Sequence, residues 1–97
     1  MSAPARIQLH HCEAEGCDKQ IPRHRFMCWP HWSMVPRALQ RAVNRAWRNY
    51  EECLRAGRLT PKDVQDLSAA HAAAIAAVRE KEIKRQARRD ARGDTLF

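Results

Sequence analysis

From Val35 onward the apolar positions fall into a helical rhythm. Val35, Leu39, Val43, Ala46, Tyr50 and Leu54 recur every three or four residues, the stripe of an amphipathic helix, and Trp47 widens it. Pro36 suits the first turn, where a missing N–H goes unnoticed, and Gly57 supplies a C-terminal stop. These signals predict a first helix over 35–57. In "RLTPKD", Thr60 is a good N-cap, Pro61 fits the first helical position, and Asp63 complements the helix dipole. A second helix is therefore expected over 60–92. Its stripe is Val64, Leu67, His71, Ile75 and Val78, set in the alanine-rich run "SAAHAAAIAAV". Alanine lets a partner helix approach closely, and the short connection makes the two helices antiparallel neighbours.

Beyond Val78 the stripe fades, leaving only Ile83 as a large apolar side chain. A helix of about 21 residues is roughly 32 Å long, whereas one from Pro61 to Arg92 is roughly 48 Å. The last third of the second helix thus has no first-helix surface to cover, and a projecting basic end is expected. Upstream of Val35 the helical rhythm is missing. Gly16, Pro22 and Pro30 mark turns, and Arg25–Met27 is the one candidate strand. Residues 1–9 read as a flexible arm and 93–97 as a loose tail.

The segment 10–34 carries the chemistry. Three of the four cysteines and four of the five histidines fall between His10 and Trp32. The spacing Cys12-x4-Cys17-x10-Cys28-x2-His31 offers three thiolates and an imidazole in two close pairs, which suits one structural, tetrahedral zinc ion. Gly16 gives the backbone freedom a tight knuckle needs. His10, His11 and His24 are alternative fourth ligands, and spacing favours His31. His10 and His11 otherwise belong to a solvated arm, and His24 to an exposed loop or a phosphate contact. Cys53 is expected as a buried thiol and His71 as a core histidine. Trp29 and Trp32 are expected to cap the site and join it to the helices, with base stacking as the lesser alternative. Four ligands close the coordination sphere, and no nucleophile–base arrangement accompanies them, so a non-enzymatic protein is expected. The fold class that follows is mostly α. One domain over 1–97 holds an N-terminal, treble-clef-like zinc knuckle packed on a long antiparallel helical hairpin.

Charge adds a partner class. A net charge of +7 on 97 residues, with a pI near 9.9, calls for something acidic. Arg37, Arg41, Arg45 and Arg48 share one side of the first helix, and no acid interrupts them before Glu51. A second group, Lys81, Lys84, Arg85, Arg88, Arg89 and Arg92, is diluted by Glu80, Glu82 and Asp90. Such rows either solvate a helix face or track a phosphate backbone. Nucleic acid is the expected partner and an acidic host protein the alternative. No apolar run approaches the roughly 20 residues of a membrane span, and no segment of signal-peptide length opens the chain, so a cytoplasmic protein is expected.

The run "MCWPHWSMVPRALQRAV", with "CEAEGC" upstream, resembles small zinc-binding proteins encoded by bacteriophages and prophages. Those pair two cysteines, then place C-x2-H-W ahead of a "VP..L...V" helix. The likeness covers residues 12–50. It implies Cys12, Cys17, Cys28 and His31 as metal ligands and a setting in a phage or mobile element within a bacterial host. Such proteins mostly lack an assigned activity. The expected function is a small accessory or regulatory protein.

Overall fold

The computed structural model describes residues 9–94, with side chains as far as Arg92. The chain is mostly helical, with one small antiparallel sheet. Strands β1 (Leu9–His11) and β2 (Gln20–Pro22) pair with His10 opposite Ile21. A single-turn helix α1 (Trp29–Trp32) follows, then α2 (Arg37–Arg55) and α3 (Pro61–Asp94). Of the expected arm, residues 1–8 lie outside the described residues, as do 95–97 of the expected tail.

Three local expectations are corrected. The strand is not at Arg25–Met27. Pro22 ends β2, and the Arg25 amide closes a turn onto the Pro22 carbonyl at 2.9 Å, so Met27 turns into the core instead of alternating. Leu9, His10 and His11 are strand rather than arm, and the His10 ring donates to the Arg25 carbonyl. Gly93 and Asp94 continue α3 rather than opening the tail.

The helices begin and end for identifiable reasons. Val35 precedes a proline and is steered away from helical backbone. Pro36 therefore becomes the N-cap of α2 rather than a first-turn residue, its ψ extended at 143°. At the other end Gly57 adopts φ +71°, which lets the Arg58 amide reach the Cys53 carbonyl and the Gly57 amide reach Leu54. This is a Schellman stop. A reciprocal cap opens α3: the Thr60 amide and hydroxyl both donate to Asp63 Oδ2 at 2.9 Å, and the Asp63 amide donates back to Thr60 Oγ1 at 3.3 Å. The Asn49 amide group also donates to Asp63 Oδ1, tying α2 to the start of α3. These bonds hold the Asp63 carboxyl below its usual pKa, the Thr60 backbone first among them.

α2 and α3 pack antiparallel, since Asn49 meets Asp63 at one end while Met34, just ahead of α2, meets Lys81 at the other. Val43, Ala74 and Val78 are buried between them, with Leu39, Ala70 and Ile75 packed alongside. Leu54 and Val64, expected in the stripes, are instead 56% and 43% exposed. They sit beside the connection, where among the described residues no third element lies over the two helices. The knuckle supplies that third element at the opposite end. Cys12, Ala14, Ile21, Met27 and Cys28 join Val43, Ala74 and Val78 in one continuous core.

Candidate metal centre

Every ligand position is set by a local backbone device. Cys12 follows β1, and its amide donates to the Lys19 carbonyl at 2.8 Å, which closes the hairpin. Between them the Cys17 amide turns back on Ala14, and Gly16 takes φ +80°, a conformation that favours glycine. Cys28 is the N-cap of α1 and His31 lies in its first turn, with Pro30 fixing the backbone between them. A three-residue separation on one helical turn puts both side chains on one side.

The four ligand atoms of Cys12, Cys17, Cys28 and His31 all lie within 4.8 Å of one another. The His31 Nδ1 atom is 3.0 Å from Cys28 Sγ and 3.6 Å from Cys12 Sγ. Bonds of ~2.3 Å to sulfur and ~2.0–2.1 Å to nitrogen place the corners of a tetrahedral site roughly 3.6–3.8 Å apart. The cluster therefore fits one metal ion. All four cysteines are free thiols, so no disulfide competes for the sulfurs. Burial pushes the Cys12 thiol up to about 11, while backbone amides of Ala14 and Cys28 pull the other way. The Cys28 amide reaches Cys12 Sγ at 3.2 Å, an N–H···S bond that favours the thiolate a metal requires.

Of the alternative ligands, neither His10, His11 nor His24 joins the cluster. His10 is engaged by Arg25 and, at 3.5 Å, by Glu13. His24 is exposed on the turn after β2.

Sequence reasoning missed Glu82. The other ring nitrogen of His31, Nε2, lies 3.5 Å from Glu82 Oε1 on α3. A carboxylate there fixes the tautomer that leaves Nδ1 free for the metal. Nothing in the sequence separates Glu82 from Glu80, which merely pairs with Lys84 one turn on at 3.1 Å. Lys81 donates to the Met34 carbonyl beside it, and Arg79 pairs with Glu15 at 3.4 Å. The stretch of α3 around residues 79–82 is thus the docking platform of the knuckle rather than part of a free end.

The two tryptophans part company. Trp32 is half-buried, meets Phe26 edge-on at 6.4 Å, packs against the core that Val43, Ala74 and Val78 share, and accepts at its carbonyl from Gln40 of α2 at 2.9 Å. Trp29 caps nothing: it is 70% exposed, because it occupies the outward side of α1. His71 stacks on Phe26 at 4.2 Å and is only half-buried, and burial lowers its pKa against the opposing Glu13 carboxylate. Cys53 is buried against α3, its thiol directed to Asn49 Oδ1 at 3.7 Å.

Arg37, Arg41, Arg45 and Arg48 are all exposed, and among the described residues none of them makes an ion pair. Lys84, Arg85, Arg88 and Arg89 are exposed along α3 past the knuckle. Among the described residues no helix is long and apolar enough to cross a membrane. Comparison with known proteins finds no protein family, no curated protein and no solved structure that this chain matches.

Proposed function

We propose that this chain is a small, non-enzymatic accessory protein that is stabilised by one zinc ion and binds nucleic acid. Zinc is the reading because three thiolates and an imidazole are a soft, closed donor set that leaves no position open for substrate. The order of hairpin loop, then ligand pair at a helix start, is treble-clef-like. The likeness of residues 12–50 to phage-encoded zinc proteins supports a setting in a phage or mobile element within a bacterial host.

The observation that carries the nucleic-acid reading is the row Arg37, Arg41, Arg45 and Arg48, four exposed guanidinium groups without an ion-pair partner among the described residues. Guanidinium groups spaced by helical turns suit successive phosphates, which they meet bidentately. Lys84, Arg85, Arg88 and Arg89 extend the basic surface past the core. At near-physiological salt the zinc-loaded protein should bind nucleic acid with a Kd of about 10⁻⁴–10⁻⁶ M or tighter. The double change Arg41→Ala, Arg45→Ala should weaken that binding and flatten its salt dependence without loss of helix content. Absence of binding to any strand type overturns the reading.

A second reading, docking on an acidic host protein, is favoured by one feature. Ala72, Ile75, Ala76 and Ile83 line a mostly apolar groove of about 490 Å³ along α3, bordered by the ion pairs Arg79–Glu15 and Lys84–Glu80. A partner recovered from host lysate after nuclease treatment would put this reading first.

A further inference from the structure

Trp29 is a costly residue to leave in water, and nothing in the core needs it there. It stands 70% exposed while Trp32 and Phe26 do the packing. It lines a concavity of about 330 Å³ together with Phe26, Met27, Trp32, Arg25, His24 and Asn44. The back of this concavity is rigid. Phe26 is held by His71 on one face and by Trp32 at its edge. Trp29 itself is carried by α1, between the candidate ligands Cys28 and His31. Among the described residues the Asn44 carboxamide makes no hydrogen bond, so both its donor and its acceptor are available at the rim.

We infer that this concavity takes one unstacked base of a single-stranded nucleic acid, an inference that rests on the nucleic-acid reading above and makes it specific. The chemistry matches part by part. Aromatic walls stack on the face of any base, and a carboxamide can read a base edge through paired donor and acceptor. Arg25 on the rim meets the adjoining phosphate. Asn44 lies three residues from Arg41 and four from Arg48 on α2, so the arginine row runs beside the pocket. A strand whose phosphates follow that row can turn a base inward at Asn44. A duplex cannot, because its bases are stacked and paired, and a lone pocket at this site does not span a groove.

The test is a titration of the zinc-loaded full chain with a labelled 12-nucleotide single strand and with the duplex of the same length, reading anisotropy and tryptophan emission. The single strand should bind more tightly than the duplex and quench emission. Trp29→Ala should weaken single-strand binding by roughly 5- to 150-fold, the equivalent of removing one base stack, with little effect on duplex binding. Trp29→Phe should recover most of that affinity, and Asn44→Ala should reduce the preference among homopolymers. Because Trp29 is exposed, an unchanged thermal melt of Trp29→Ala verifies that the fold is intact. If nucleic acid binds but Trp29→Ala matches wild type, or the duplex is preferred, the base pocket is wrong and the arginine-row reading stands. If nothing binds, both fall, and Trp29 becomes a contact for a protein partner.

Discussion

His31 faces two sulfurs with one ring nitrogen and Glu82 with the other, so its imidazole is gripped from two elements far apart in sequence. Partners of this kind commonly contribute 10- to 100-fold to metal affinity. Glu82→Gln should lower zinc affinity by about that factor in competition with a chelator, while saturated protein still carries one zinc per chain by elemental analysis. Unaltered affinity would mean that the 3.5 Å contact does not orient the ring. Less than one zinc at saturation would count against the site itself. The same residue shows why a linear reading of the chain falls short. As one acid in "REKEIKR", Glu82 looks like charge dilution, and only its position across from His31 gives it a task.

At the scale of the elements, burial divides the expected stripes into side chains that hold the helices together and side chains that do not. Val78 and Ala74 are wholly inaccessible, and Val43 nearly so, whereas Leu54 and Val64 are substantially exposed. Val78→Ala should destabilise the zinc-loaded protein by about 2–3 kcal/mol, the transfer of two deleted carbons plus a cavity. Thr60→Ala should cost only about 1 kcal/mol as a broken cap. Leu54→Ala and Val64→Ala should stay within ~0.5 kcal/mol. Denaturant melts order these variants. A Leu54→Ala cost equal to that of Val78→Ala would show that the loop end is covered in solution. The cap and the Gly57 stop could be read directly because each depends on a few neighbouring residues. The stripe could not say how far each member is buried, because periodicity gives a face and not its cover.

The whole molecule is drawn out, with extents of 62 × 38 × 18 Å and a Cα radius of gyration of 17.4 Å. A compact chain of this length has a radius of about 13 Å. α3 is the cause: its 34 residues reach past the hairpin and the knuckle. Its exposed end, with Arg85, Arg88 and Arg89, contributes nothing to the described core. A chain ending at Lys84 should therefore keep its melting temperature and zinc content. It should bind nucleic acid more weakly. On a single strand its salt dependence should be shallower by roughly 0.7 for each phosphate that the shortened helix no longer neutralises. A sharp drop in melting temperature would show that the end is packed after all.

The existence of the two long helices, the caps at Thr60 and Gly57, and the grouping of Cys12, Cys17, Cys28 and His31 were legible along the chain, because each follows from chemistry within a few residues or from ligand spacing, whereas the single turn α1 was not. The two short strands were not, since strands of three residues with Ile21 as the single buried side chain between them carry no usable alternation. Nor was the split between Trp29 and Trp32, two aromatics three residues apart whose fates depend on which side of α1 faces Phe26. Folding also turned the middle of α3 from a solvated basic run into the platform under the candidate metal centre, with Lys81 on Met34 and Glu82 on His31. Local rules fix where a helix starts and stops, but which of its charges meet a partner depends on what the rest of the chain lays against it.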